Sequence, residues 1–201
     1  MSNSAEGYKD ANEPPGIRIE ARRTIANPKI KDIVTFVKYG AETNGEYTEL
    51  RLKLAPGGEA GMHYHTLYTE TFTALNGKLG VYTGSTGRLE LEPGESRLVP
   101  VREVHYFFNP GEEDIECKIV VAPSHEGFEK SLYIMYGLAR DGLCREKGVP
   151  NSFVHLCLIL TLADIRPPGI VFTLVSPIVY LTAAIARWWE IEEDLLHRYW
   201  K

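Results

Sequence analysis

Two histidines lie at alternate positions of an extended segment that shapes the rest of this chain. The segment reads Gly57-Gly58-Glu59-Ala60-Gly61-Met62-His63-Tyr64-His65. Side chains at i and i+2 of such a segment share a face, so His63 and His65 can point into one pocket. Glu70 follows on a segment where it shares a face with Phe72, so its carboxylate can reach the same point. The pattern predicts a polar pocket walled by β-strands.

A second group of residues extends this pocket later in the chain. His105 lies on a predicted strand whose inward face is His105, Phe107 and Asn109. A residue so far from His65 in sequence can join the first two histidines only if the sheet closes on itself. Three histidines and one carboxylate in strand-rich sequence therefore predict a mononuclear metal site inside a β-barrel.

This donor set leaves room for chemistry at the metal. Three imidazole nitrogens and one carboxylate oxygen leave two positions free on an octahedral ion, whereas closed tetrahedral sites are structural. The free positions suit a substrate, water or dioxygen. We expect one divalent transition metal ion, Fe, Mn, Ni, Cu or Zn, and the ligands alone do not choose among these metals.

The sequence around the pocket alternates as short antiparallel strands do. Leu50, Leu52 and Leu54 share one face of such a segment, and Asn76-Gly77 is the strongest hairpin signal in the chain. Many short strands separated by turn residues predict an antiparallel sandwich or barrel. The predicted strands are a short one near Ile17–Ala21, then 32–39, 46–54, 69–75, 78–82, 88–92, 97–101, 105–108 and 115–121.

The spacing of these residues resembles that of the cupins, and specifically of small single-barrel cupins. Their first motif, G-x5-H-x-H-x3,4-E-x6-G, is matched by Gly57, His63, His65, Glu70 and Gly77. Their second motif, G-x5-P-x-G-x2-H-x3-N, is matched by Gly94, Pro100, His105 and Asn109, but Arg102 stands where the motif has its inner glycine. The resemblance implies a mainly β fold, the double-stranded β-helix or jelly-roll barrel, with His63, His65, Glu70 and His105 as the metal ligands.

Several residues are candidates for roles beyond metal ligation. Glu70 is the candidate catalytic residue, as a ligand that also shuttles a proton. Arg102 either pairs with an anionic substrate group such as a carboxylate, or is a solvated loop arginine neutralised by Glu103. We expect Phe72 and Phe107 to wall the pocket and to contact a bound substrate.

Composition limits the partners and the compartment. The formal net charge of −5 argues against nucleic-acid binding, which needs a basic face. The three cysteines, Cys117, Cys144 and Cys157, lack CxxC spacing, so we expect free thiols and a cytoplasmic protein. Residues 1–16 lack the apolar core of a signal peptide, which agrees with that compartment.

The sequence divides into three predicted regions: an N-terminal arm at 1–30, the cupin barrel at 31–125 and a C-terminal helical extension at 126–201. Residues 126–139 have helical spacing, and two apolar runs follow at 153–163 and 170–186. These runs could form a shallow membrane hairpin, with membrane contact through 150–187. We favour the alternative that they pack on the barrel or across the interface of a homodimer. The run 136–151 looks similar to tails on some uncharacterised bacterial cupins.

Three hypotheses of function remain open from the sequence. The first is a metal-dependent enzyme, for example dioxygenase-, decarboxylase- or isomerase-like, acting on a small organic substrate that bears a carboxylate. The second is a non-catalytic barrel that binds or senses a small molecule. The third is a barrel tethered to a membrane or a partner by its apolar helices. The fold does not select among these reactions, because one fold hosts many chemistries.

Overall fold

The N-terminal segment differs from its prediction. The structure, a computed structural model, describes residues 13–201, so residues 1–12 of the predicted arm lie outside the described part. Helix α1 (Pro15–Arg18) and a 3-10 turn at Glu20–Arg23 occupy the region where a strand was expected near Ile17–Ala21, and that prediction is wrong. Pro15 explains the difference, because proline fixes the backbone angle that suits a first helical turn.

Antiparallel strands form two sheets, which confirms the predicted jelly-roll barrel. The first sheet has the order β1-β2-β3-β9-β4-β7, and the second has the order β6-β5-β8. Strand β1 pairs with β2, although its residues fall within the predicted arm 1–30. The strands are β1 (Thr24–Asn27), β2 (Asp32–Lys38), β3 (Thr48–Leu54), β4 (Thr69–Asn76), β5 (Leu79–Thr83), β6 (Gly87–Leu91), β7 (Ser96–Val99), β8 (His105–Phe108) and β9 (Ile115–Ala122).

Alternation of apolar and polar side chains builds the barrel core. Along β3, Leu50, Leu52 and Leu54 are buried while Arg51 and Lys53 are exposed. Strand β9 pairs with β3 and alternates in the same way, with its own apolar side chains on the buried face. Because strand side chains alternate between faces, each sheet offers one apolar face, and the two faces pack together.

The segment before β4 links the two sheets at the candidate pocket. His63 and His105 form an isolated antiparallel bridge, with backbone N–O distances of 3.0 and 2.8 Å. A second bridge joins Glu59 to Phe108. The stretch that carries the first two histidines therefore runs beside β8, which carries the third.

Helices follow the barrel, as predicted. They are α2 (Glu126–Arg140), α3 (Phe153–Leu162), α4 (Ile170–Trp188) and α5 (Ile191–Tyr199). Helix α2 lies against the first sheet, where the Tyr136 hydroxyl donates to Asp32 Oδ2 at 2.5 Å and Glu129 Oε1 accepts from the Gly40 amide at 2.7 Å. Tyr199 of α5 contacts Gly137 of α2 so closely that a side chain at that glycine would clash with its ring. Cys117, Cys144 and Cys157 are buried free thiols.

Helix α4 differs from the other helices because it buries little of its apolar surface. Its buried side chains are Val179, Ala183 and Ala186, which lie on one narrow stripe. An 18-residue window of this helix has a mean hydropathy of 1.8, and 17% of it is buried. By length and composition the helix is long and apolar enough to cross a membrane. Core helices of globular proteins pass the same test, but they are mostly buried.

Candidate metal centre

The four predicted ligands come from three different parts of the barrel. His63 and His65 lie on the extended segment before β4, Glu70 lies on β4, and His105 begins β8. On β4, Glu70 and Phe72 are both buried while Thr69, Thr71 and Thr73 are half-buried, as the alternation predicted. The backbone bridge between His63 and His105 brings the two histidine segments side by side.

The structure places these four side chains in one cluster. One donor atom from each of His63, His65, Glu70 and His105 lies within 4.8 Å of the others. His65, Glu70 and His105 are buried, with 5% or less of their surface exposed, whereas His63 is half-buried. The cluster is therefore reachable from solvent on the His63 side and closed on the other.

Each histidine is oriented by a backbone carbonyl. In all three rings Nδ1 lies at hydrogen-bonding distance from a carbonyl oxygen. In His63 and His65, donation from Nδ1 leaves Nε2 as a lone-pair donor, whereas His105 Nε2 donates to Glu70 Oε2 at 2.8 Å and would exchange that proton for a metal ion. Metal-binding histidines are held in this way, because a hydrogen bond from the second ring nitrogen fixes the tautomer and the ring plane. The pairs are His63 to Gly61 at 2.6 Å, His65 to Asp164 at 3.0 Å and His105 to Glu103 at 2.8 Å.

One buried atom in the cluster is left without a partner, and it fits a metal ion. His65 Nε2 is buried and has no hydrogen-bond partner among residues 13–201. It lies 3.7 Å from Glu70 Oε2, too far for a hydrogen bond, whereas His105 Nε2 lies 2.8 Å from the same oxygen. A buried nitrogen without a partner is costly, and a metal ion between His65 and Glu70 would satisfy it. The residues present therefore suit a divalent transition metal held by three nitrogens and one oxygen.

Electrostatics within the cluster favour the metal-binding forms of His63 and Glu70 and the protonated form of His105. Burial, together with the neighbouring His105 and His65, lowers the pKa of His63 to about 3, so this ring is neutral. Burial alone would raise the pKa of Glu70, but the nearby His65 and the hydrogen bond from His105 outweigh it and hold this pKa well below its usual range. Burial opposes the charged form of His105, yet its hydrogen bond to Glu70 raises its pKa. Neutral imidazole and ionised carboxylate are the forms that bind metals.

Two residues that hold the cluster in place were not predicted from the sequence. Asp164, in the turn after α3, supplies the carbonyl that orients His65. Its carboxylate accepts hydrogen bonds from the backbone amides of Thr66 and Leu67 and from the Thr66 hydroxyl. Asp164 is 99 positions from His65, and no local pattern in the sequence connects the two.

Tyr68 is the second residue that the sequence analysis missed. Its ring stacks on His65 with centroids 4.3 Å apart, and its hydroxyl donates to the Ala163 carbonyl at 2.7 Å. Arg166 adds a backbone bridge to Tyr64, with both N–O distances at 3.0 Å. The turn after α3 thus binds the strand segment that carries two of the candidate ligands, and the C-terminal extension is part of the site.

Arg102 lies in the loop before β8 with its side chain exposed. Its backbone amide donates to the His65 carbonyl at 2.6 Å, which puts its Cα at the edge of the cluster. Its φ of +67° explains why the cupin motif has glycine at this position, because a side chain is disfavoured in that region. Glu103, expected to neutralise it, instead accepts a hydrogen bond from the Ser85 amide at 2.7 Å.

The two predicted wall residues lie beside the cluster. Phe72 is fully buried, and its ring centroid is 6.0 Å from His105 and 5.7 Å from Phe107. Phe107 is half-buried and packs against the core. Asn109 closes the following turn, since its amide donates to the Leu54 and Glu113 carbonyls. Of the remaining histidines, His125 caps α2 by accepting from the Phe128 amide, which is a structural role.

Comparison with known proteins supports the barrel assignment. Residues 50–122 match a family model described as "Cupin domain". No curated protein matches the chain. The match covers the four clustered side chains and both groups of motif residues, but it excludes α2 to α5.

Three solved structures illustrate the likeness of the barrel. The first is a sugar phosphate isomerase from a cupin superfamily, from Silicibacter pomeroyi, with 18% sequence identity and a TM-score of 0.41. The second is KdgF from Halomonas sp., with 15% identity and a TM-score of 0.46. The third is a predicted oxalate decarboxylase from Thermotoga maritima, with 21% identity and a TM-score of 0.44. They cover 47%, 54% and 49% of this chain, and 60%, 94% and 93% of their own chains. The chain thus spans less than two thirds of the first of them. The family match and the antiparallel strand order together show that residues 50–122 of this chain are a cupin domain, which continues into a C-terminal helical extension.

Proposed function

We propose that this protein is a metal-dependent enzyme that binds one divalent transition metal ion through His63, His65, Glu70 and His105. The observation that carries the proposal is the buried Nε2 of His65, which has no hydrogen-bond partner in the described part of the chain, beside two further rings whose Nδ1 atoms are each held by a carbonyl. A folded protein rarely leaves a buried nitrogen unsatisfied unless a ligand or an ion satisfies it. The metal would supply Lewis-acid or oxygen-activating chemistry to a bound substrate.

The substrate class follows from the residues beside the cluster. The half-buried His63 marks the open side, and Arg102, whose side chain is exposed, donates its backbone amide to the His65 carbonyl. A guanidinium there can pair with a carboxylate in a two-point contact while the rest of the molecule reaches the metal. We therefore favour a small organic acid, with the half-buried Phe107 as the wall against its apolar part and the fully buried Phe72 packed behind that ring. Glu70, hydrogen-bonded to His105 at 2.8 Å, is the group best placed to move a proton.

A second candidate, a barrel that binds or senses a small molecule without turnover, is favoured by the aromatic character of the wall. The ring of Tyr68 stacks on His65, Phe72 lies beside His105 and Phe107 packs against Phe72, and aromatic walls suit retention of a ligand as well as catalysis. In that case the metal would only anchor the ligand.

The experiment that separates the two candidates tests metal-loaded protein against a panel of small mono- and dicarboxylic acids. For each compound, thermal stabilisation and turnover are measured side by side. Turnover that disappears in His105→Ala and falls in Glu70→Gln supports the enzyme, whereas stabilisation without turnover supports the binding module. His197→Ala, an exposed histidine on α5, is the matched control and should change neither quantity.

A further inference from the structure

Helix α4 carries a large exposed apolar surface. We name the following eight side chains its apolar face: Ile170, Val171, Leu174, Ile178, Tyr180, Leu181, Ile185 and Trp188. Exposure reaches 71% at Leu174 and 79% at Trp188. The exposed area is on the order of 1,000 Å², which exceeds the few hundred Å² of the largest apolar patch on an ordinary monomer. A surface of this size indicates an interaction site.

The apolar face is unusually broad. At 3.6 residues per turn its members cover about half of the helix circumference, opposite the buried stripe of Val179, Ala183 and Ala186. Within Ile170–Trp188, Thr173 is the polar residue on this side. Arg187 lies at the margin, where its guanidinium contacts Glu192 and Thr161.

The ends of α4 are both attached to the same folded body, so the helix does not cross a bilayer here. Before its first turn, Arg166 bridges to Tyr64 beside the candidate metal cluster. After its last turn, α5 returns to the body, with Tyr199 against Gly137 and Trp200 fully buried. A spanning helix would carry its two ends to opposite sides of the membrane. An attached helix can only lie along a surface.

The breadth of the apolar face and the nearby charges identify the surface it fits. A contact between two helices buries a seam much narrower than half the circumference. A bilayer covers the whole arc at once, and Trp188 with Trp189 matches the aromatic residues found at the headgroup level. The exposed acidic side chains that follow, Glu190, Glu193 and Asp194, would be repelled by anionic lipid.

We propose that the apolar face of α4 is a docking surface for a bilayer of zwitterionic lipid, on which the helix lies flat without crossing. Binding is driven by burial of apolar side chains and owes little to charge. Binding also brings the segment around Tyr64, beside the cluster, toward the membrane. Arg166, which lies shortly before α4, bridges to Tyr64. This proposal stands independently of the metal chemistry.

The test is flotation of the full-length protein with phosphatidylcholine vesicles, with and without phosphatidylserine. Leu174→Glu should lower the partition coefficient by at least about tenfold, because one fully buried leucine side chain contributes about 1.5–3 kcal/mol. Leu98→Glu, at a comparably exposed leucine on β7, is the matched control and should bind as the parent does. Circular dichroism spectra that superpose on the parent show that each variant is folded.

Each outcome decides the proposal. Binding to phosphatidylcholine that persists in high salt, gains nothing from phosphatidylserine and is lost in Leu174→Glu supports it. Binding that requires phosphatidylserine overturns the zwitterionic surface. If the parent protein binds no vesicles, the proposal that α4 docks on lipid is wrong. If light scattering then shows a dimer that Leu174→Glu dissociates, the apolar face belongs to a second copy of this chain.

Discussion

The candidate metal cluster and helix α4 depart in opposite ways from the usual burial of apolar side chains and exposure of polar ones. In the barrel, polar atoms that belong in water are buried, and His65 Nε2 has no partner among residues 13–201. On α4, apolar side chains that belong in a core are exposed, with Leu174 and Trp188 as the extreme cases. Both arrangements cost free energy in the isolated chain, and we propose that each is relieved by something bound: a metal ion in the first case and an apolar surface in the second.

The two regions also differ in how firmly they are held. The cluster is fixed by carbonyl acceptors on each ring and by a strand bridge, so its geometry is set before any ion binds. Helix α4 is held by one stripe and its two ends. The connection between them is the turn at Asp164 and Arg166, which belongs to both regions. We infer that disturbance of this turn affects the cluster before it affects the barrel core.

Removal of a ligand should have the greatest effect on the cluster. In His65→Ala or His105→Ala, the site loses one of four donors, so metal affinity should fall by at least about a hundredfold. Isothermal titration of the metal-free protein with Zn²⁺ and Mn²⁺ measures the change. His197→Ala should bind as the parent does, and equal affinity in the ligand variants would rule out this ligand set.

The contact between β2 and α2, where Asp32 accepts a hydrogen bond from Tyr136, should make the stability of the fold depend on pH. Burial raises the pKa of Asp32 to about 7, although its hydrogen bond from Tyr136 opposes the shift. The folded protein keeps this proton up to about pH 7, whereas the unfolded chain releases it near pH ~4, so the group stabilises the fold fully below pH ~4 and loses its contribution as pH rises.

The loss of stability from this group should amount to at most roughly 4 kcal/mol between those two pH values. Urea unfolding of the parent and of Asp32→Asn across this range measures it. The asparagine variant keeps the shape but does not titrate, so its free energy of unfolding should fall less steeply with pH. Parallel curves for the two proteins would contradict the raised pKa.

The Asp164 turn should affect metal binding without supplying a ligand atom. In Asp164→Ala the amides of Thr66 and Leu67 lose their acceptor, so the segment that holds His65 loosens. We expect metal affinity to fall by about 10- to 100-fold while the stoichiometry stays the same. Asp114→Ala, which removes an exposed ion pair with Lys53, is the control. Unchanged affinity in Asp164→Ala would show that the C-terminal extension does not support the site.

Substitution of Arg102 should change the free energy of unfolding by the smallest amount. Because its φ is +67°, Arg102→Gly should raise the free energy of unfolding by about 1 kcal/mol. Asn44→Gly, at a φ of +54°, should gain less, because asparagine tolerates this conformation. Thermal unfolding of both variants measures the difference. A destabilised Arg102→Gly would mean that the side chain holds the loop in place.

Much of the barrel and of the ligand set was predictable from sequence, because strand alternation fixes which side chains share a face. His63, His65 and Glu70 follow from that period, and the motif spacing adds His105. The helix at Pro15–Arg18 was missed, because β-type residues near Ile17 outweighed the proline signal. Asp164 was missed because its contact with His65 depends on how the chain folds back, which local periodicity does not encode. The exposure of α4 was not predicted, because a buried helix and an exposed apolar helix have the same sequence pattern.

The most direct test of the central claim is elemental analysis of full-length protein purified without chelators or metal-affinity resin. We expect about one equivalent of a single divalent transition metal per chain, and its loss in the His65→Ala and His105→Ala variants. Less than about a tenth of an equivalent of any transition metal, in protein that also fails to take one up on titration, would contradict it.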